Sequence, residues 1–319
     1  MKFKKPSDFP QKPLDLFSEY QHAHIDRRSF LNDARRFVVS GLTAGAVLEM
    51  MRPDYAWAQV GKETHPASAR VLDQLRTRFT FQISVDVLRL KQGLGVASAA
   101  LAGGVNIVEM GTPLLKNEGV SNVVPAFRKQ FPKALLLADM KTMDGGASEA
   151  RGVYAGGGNI IDFLALAGVD TAKAICAVRD EFRRTGSELP RLAFADIMVP
   201  HQSPAAQAVE AALRMLEAGV DAVGVHLQSD ARRAHPKLIE SDFLGDTARA
   251  IFERVGKAAP VQVVGGLSVT QAKSLARAGL RAFVISGNLG QPDAVIRYNL
   301  PPAQIERFVA GFIAEVSSA

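Results

Sequence analysis

The chain has 319 residues, 47% of them apolar and 22% charged, with a net charge of +6. This describes a globular protein of one large domain or two ordinary ones, and excludes a disordered chain, a collagen-like repeat and a multi-span membrane protein. The single cysteine, Cys176, excludes a disulfide framework and any cysteine-based metal cluster; the dispersed basic residues with few aromatics point away from nucleic acid, and the modest positive excess suits a small anionic substrate such as a sugar phosphate equally well.

Residues 1–25 are polar and irregular. Asp26-Arg27-Arg28-Ser29-Phe30-Leu31 then leads into a mildly apolar stretch, Phe37 to Met51, followed by Arg52-Pro53-Asp54-Tyr55 and Ala56-Trp57-Ala58-Gln59. Paired arginines, a short apolar region and an A-x-A site, in that order, form the layout of a secretory leader. The segment resembles the twin-arginine leaders of exported bacterial enzymes, which a receptor reads. The apolar stretch, with Glu49 inside it, is too short and too polar to span a bilayer. An amphipathic helix kept in the cytoplasm is the competing reading. The expected organisation is a leader over 1–59 and a catalytic domain over 60–319.

About 260 residues follow the leader, close to the roughly 250 of a (β/α)8 barrel. Short β-branched or apolar runs alternate with longer segments of helical period. Strands are expected at Phe79–Val87, Asn106–Met110, Ala134–Asp139, Ile160–Leu166, Leu192–Ile197, Ala222–His226, Val261–Val264 and Ala282–Ser286. Helices are expected at Val120–Gln130, Thr171–Arg184, Ala205–Ala218, Phe243–Val255, Val269–Ala278 and Pro302–Val316, among others. Ala102-Gly103-Gly104-Val105, Ala218-Gly219-Val220-Asp221 and Ala278-Gly279-Leu280-Arg281 each put a glycine between a helix and a strand, where a left-handed cap is needed. That recurrence argues for strict alternation and parallel strands, hence a TIM barrel. An open doubly wound sheet would want a glycine-rich phosphate loop after its first strand, and none is there.

Barrel enzymes carry their chemistry at the C-terminal ends of the strands. Those positions hold Asp86, Glu109, Asp139 with Lys141, Asp196, His226, Gly265-Gly266 and Ser286-Gly287. On an extended strand, residues i and i+2 share a face, so Asp139 and Lys141 are both expected at the barrel mouth. A fixed ammonium there can stabilise a developing oxyanion. A structural ion pair is the plainer reading of Asp-x-Lys alone, as an ordinary tight turn is of each glycine pair.

The segment Leu137-Ala138-Asp139-Met140-Lys141-Thr142-Met143-Asp144-Gly145-Gly146 resembles the signature of the orotidine-monophosphate-decarboxylase-like barrel superfamily. Val108-Glu109-Met110-Gly111-Thr112-Pro113-Leu114-Leu115, Ser84-Val85-Asp86 and Gly224-Val225-His226-Leu227 are similar to further motifs of its hexulose-6-phosphate synthase and 3-keto-L-gulonate-6-phosphate decarboxylase group. The resemblance covers roughly residues 78–317 in unbroken order.

It implies a lyase acting on a ketose phosphate with Mg2+, or Mn2+ in its place. Glu109 and Asp139 would hold the metal, Lys141 would lie beside a cis-enediolate, and His226 would move a proton to or from carbon. Asp86 and a partner-subunit Asp144 would complete the charged cluster, so a homodimer with shared sites is implied. Thr112 would contact substrate, and Gly265, Gly266, Gly287 and Asn288 would hold the phosphate.

Two departures bear on the reaction. Ser229 stands where the decarboxylases carry an arginine, and Gln228-Ser229-Asp230-Ala231-Arg232 differs from the synthases. The first expectation is a synthase that condenses formaldehyde with D-ribulose 5-phosphate. The second is the decarboxylase, and a third is an exported sugar-phosphate-binding protein without catalysis. The leader implies twin-arginine export machinery and the periplasm, whereas phosphosugar chemistry implies the cytoplasm.

Overall fold

The computed structural model describes residues 29, 32–33, 65–185, 188–235 and 242–319, and the leader expected over 1–59 lies almost wholly outside them. The barrel belongs to the unit Ala58–Ala319. Its eight strands are β1 Thr80–Val85, β2 Ile107–Met110, β3 Leu135–Thr142, β4 Ile160–Leu164, β5 Leu192–Val199, β6 Ala222–Leu227, β7 Val261–Val264 and β8 Ala282–Ile285. All pair in parallel, in sequence order, and β1 closes on β8. The expected (β/α)8 barrel is the fold.

Among the described residues the helices are α1 Pro66–Thr77, α2 Leu90–Ala102, α3 Thr112–Glu118, α4 Val120–Gln130, α5 Gly146–Ala155, α6 Gly168–Arg184, α7 Ala205–Glu217, α8 Ser229–Ala234, α9 Phe243–Val255, α10 Val269–Arg277 and α11 Pro302–Ser317. The glycines expected to close helices do so at positive φ: Gly104 at 101°, Gly219 at 102° and Gly279 at 104°. Each reverses the chain into the next strand.

Alternation along β1 shows how the strands serve two layers. Phe81 points outward and meets Phe312 of α11 edge to face, with ring centroids 6.1 Å apart. Gln82 points inward, where it accepts a 2.8 Å hydrogen bond from Gln262 Nε2 of β7. Helix α1, an addition to the eight expected units, starts at Pro66 in its first turn. Its Val71 and Leu75 pack on Ile107, Leu137, Leu192 and Ala282 near the strand starts. Ser68 Oγ also donates to the Arg191 carbonyl and accepts from its N–H. The barrel is thereby plugged at one end and open at the other.

One strand departs from the expected geometry. The register of β3 against β4 shifts between Asp139 and Thr142, and Lys141 takes a left-handed φ of 49°. Simple alternation therefore does not align Asp139 with Lys141, as the sequence implied; a bulge does. A non-glycine residue held there stores strain, a feature that clusters at functional sites.

Candidate active site

A cavity of about 450 Å³ opens at the C-terminal ends of the strands. One wall is charged and the other is built from glycine turns. On the charged wall the side chains form a continuous chain of contacts. Thr112 Oγ1 lies 2.8 Å from both Asp139 Oδ2 and the Asp139 carbonyl. Lys141 Nζ donates to Asp139 Oδ1 at 2.5 Å and to Asp196 Oδ2 at 3.0 Å. His226 Nδ1 meets the same Asp196 oxygen at 2.8 Å.

Burial opposes the charge of Lys141, but Asp139 and Asp196 outweigh it and hold the ammonium well above its ordinary range. Burial likewise opposes the charge of Asp196, yet Lys141 and His226 keep its carboxyl well below the usual range. An ionised Asp196 favours the proton on His226 Nδ1, which leaves Nε2 as the basic nitrogen. Room for this carboxylate comes from Gly224 on the neighbouring strand, where a Cβ would stand 2.2 Å from Asp196 Oδ1.

Below this chain lies a second group. Glu109, buried on β2, accepts from Gln82 Nε2 and, at 2.9 Å, from Ser84 Oγ. Ser84 Oγ is also 2.9 Å from Asp86 Oδ2, so one hydroxyl proton serves two carboxylates. Asp86 opens to solvent at the rim. Oxygens of Asp86, Glu109 and Asp139 all lie within 4.8 Å of one another. Burial, with Asp139 and then Asp86 nearby, pushes Glu109 well above the carboxylate range. Although Asp86 reaches solvent, the protein crowded around it and then Asp139 raise it as well.

Three hard oxygen donors with surplus negative charge fit a divalent cation of the Mg2+ type. The sequence reading gave this role to Glu109 and Asp139; the geometry adds Asp86 to the same donor set.

Asp162 of β4 was not singled out by the sequence. It is buried, lies within 4.8 Å of Asp139 and Asp196, and among the described residues its Oδ1 has no partner. Burial, then Asp196, push it well above the usual range.

On the opposite wall Gly265 and Gly266 take φ values of 130° and 70°, and Ser286, Gly287 and Asn288 complete the turn after β8. Thr112 and Asn288, both expected to meet substrate, line the cavity, and their side chains also bond within the protein. The Thr112 hydroxyl steadies Asp139, and the Asn288 amide donates to the carbonyls of Gly266 at 2.9 Å and Gln291 at 2.6 Å, tying the loops together. Asp144 stands apart from the cavity, exposed, with its carboxylate accepting from the Gly145 N–H.

The model of the orotidine 5'-phosphate decarboxylase / HUMPS family matches residues 80–289. The chain belongs to that family. Its relatives include a 3-hexulose-6-phosphate synthase of Mycobacterium gastri, 30% identical over 207 residues, which are 65% of this chain and 89% of that protein. The crystal structure of 3-hexulose-6-phosphate synthase from Salmonella typhimurium matches with a TM-score of 0.59 at 23% identity, covering 74% of this chain and 99% of that one. That of 3-keto-L-gulonate-6-phosphate decarboxylase from Vibrio cholerae matches at 0.57 and 21%, covering 75% and 98%. The two solved structures share the barrel. A second model, YqhI-like, matches residues 1–39, which include Arg27-Arg28.

Proposed function

We propose that this member of the family is an aldehyde-lyase of the 3-hexulose-6-phosphate synthase type, joining formaldehyde to C1 of D-ribulose 5-phosphate. The observation that carries this reading is the run Asp139–Lys141–Asp196–His226 along one wall of the cavity. A base next to a fixed ammonium suits removal of a proton beside a carbonyl. His226 Nε2 takes the C1 proton, and the electron pair delocalises onto the C2 oxygen as an enediolate. C1 then attacks the carbonyl carbon of formaldehyde, whose oxygen becomes the new hydroxyl by taking the proton held on His226 Nε2, which returns the imidazole to its starting form. Lys141 stays charged throughout and offsets the negative charge on the enediolate oxygens. Asp196 orients the imidazole.

Asp86, Glu109 and Asp139 would hold Mg2+, which when bound supplies Lewis-acid stabilisation of the enediolate oxygens. The 30% identity across 89% of a protein named as a synthase supports the choice of reaction. The test is an assay of the full chain with ribulose 5-phosphate, formaldehyde and Mg2+. Turnover of 3-keto-L-gulonate 6-phosphate in its place would convert the reading to the decarboxylase; binding without turnover of either would leave a binding protein.

Two further parts belong to this reading. Asp144, exposed beside Met143 past the end of β3, completes the site of a second copy in a homodimer. Mixing inactive Asp144→Ala and His226→Ala subunits should then restore activity; silence despite proven subunit exchange rules out sharing. The Arg27-Arg28 segment is an export signal. A reporter fused behind it should reach the periplasm and stay inside when both arginines become lysine, and a wild-type fusion that stays inside refutes this.

A further inference from the structure

We infer that Arg232, reached from the loop after β6, is the cation that grips the phosphate of the substrate against the Gly265-Gly266 turn. The inference rests on the sugar-phosphate reading for the ligand's class and adds the residue that recognises it.

The glycine wall lacks a charge of its own. A phosphate monoester carries close to two negative charges at neutral pH, and a cavity that takes it needs a cation within reach. The loop after β8 supplies none that is available. Asn288 is neutral, with its amide hydrogens spent on the loop carbonyls. Arg297 is locked to Asp293 by two contacts of 2.7 Å. Lys141 is held by Asp139 and Asp196 at the opposite wall. Arg233 is largely exposed and paired with Asp230 at 3.2 Å.

Arg232 differs from all of these. It lines the cavity, and its guanidinium lies directly on Gly266, where a Cβ would stand 1.9 Å from Nη1. The bare glycine is what lets the guanidinium sit there. Among the described residues its side chain donates one hydrogen bond, from Nη2 to the Asp293 carbonyl at 3.0 Å, and has no carboxylate within ion-pair distance. Its Nη1 and Nε hydrogens remain for a ligand.

Partial burial lowers the guanidinium from its ordinary range; Asp293 offsets some of this, and Arg233 adds to it. A phosphate entering the cavity would relieve that cost. It would also match two oxygens to the planar fork, a geometry lysine cannot offer.

The test uses the full chain and inorganic phosphate, titrated by calorimetry at low salt. Arg232→Ala is expected to weaken phosphate binding about ten- to a hundredfold, as befits a charge-assisted contact. Arg232→Lys should recover part of it, and Arg233→Ala should lose less than either. Melting midpoints check that each variant is folded, and Arg232→Gln serves if the alanine variant is not. In steady state KM for ribulose 5-phosphate should rise by a similar factor. Exchange of the C1 protons of unphosphorylated ribulose into D2O should be unchanged.

Three results overturn the inference: equal phosphate affinity in wild type and folded Arg232 variants, no phosphate binding by wild type, or a loss that follows Arg233. Its failure is separable from failure of the proposed reaction. Phosphate binding through Arg232 in a chain without aldol activity refutes the reaction and keeps the site, whereas activity with an indifferent Arg232 does the reverse.

Discussion

Charged side chains gather at both ends of this barrel. At the strand-start end, Arg179 is 1% exposed and donates at 2.7 Å to the Gly219 carbonyl and to Asp221 Oδ2. Arg183 meets Asp221 Oδ1 at 3.0 Å, and the Ala193 N–H donates to Asp221 Oδ2 at 2.9 Å. Asp180 pairs with both arginines, so the charges balance. At the mouth, Asp86, Glu109, Asp139, Asp162 and Asp196 face Lys141 and His226, and one oxygen each of Asp162 and Asp196 has no partner among the described residues. A closed, balanced set holds the fold together, because every buried charge already has what it needs. An open set with surplus charge is costly unless something else arrives, which marks it as a place for a ligand.

Breaking one member at each end should therefore have opposite consequences. Asp139→Asn is expected to lower kcat/KM about a thousandfold, equivalent to roughly 4 kcal/mol, while circular dichroism and the melting midpoint stay near wild type. Unchanged turnover would remove Asp139 from the reaction. Asp221→Ala should instead cost about 3–5 kcal/mol of folding stability, since it leaves the buried Arg179 and the adjoining Arg183 with the half-exposed Asp180 as their one remaining carboxylate. Urea titration reads this, and the activity of the folded fraction should persist. A variant as stable as wild type would show that the lower cluster does not brace the barrel.

A smaller, pH-dependent effect sharpens the contrast. Burial and Asp196 raise Asp162 well above the carboxylate range, so the folded chain holds a proton there that the unfolded chain has released. Wild-type stability should then fall, relative to Asp162→Asn, as pH rises from the ordinary carboxylate value near ~4 toward the raised folded value, by at most about 1.4 kcal/mol per pH unit. Urea midpoints measured in EDTA between mildly acidic and neutral pH would show it. Parallel curves would mean that Asp162 ionises like an exposed acid.

The parts of this molecule legible in its sequence are those written locally. The turns at Gly104, Gly219 and Gly279 announce alternation because a left-handed cap is a property of a few neighbouring residues. Asp86, Glu109, Asp139, Lys141 and His226 are visible because a strand end is itself a local signal. Asp162 is not, since one acid between Ile161 and Phe163 reads as an ordinary polar position in a strand. Its meeting with Asp139 and Asp196 depends on how β4 registers against β3 and β5. Arg232 sits on a short, charged helix that reads as a solvated face, and only closure of the barrel lays it on Gly266. The bulge at Lys141 is hidden for the same reason, being set by pairing with β4 rather than by the residues of β3.

Gly224 touches no reacting atom, yet a single methyl there would stand 2.2 Å from the carboxylate that aims His226. A displacement of about an ångström at such a contact is worth about a hundredfold in rate. A map of tolerated substitutions drawn from activity would thus mark Gly224 as sharply as the histidine two residues on, while a map drawn from expression would show a far milder mark. The blueprint of the site includes a position whose contribution is to remain bare.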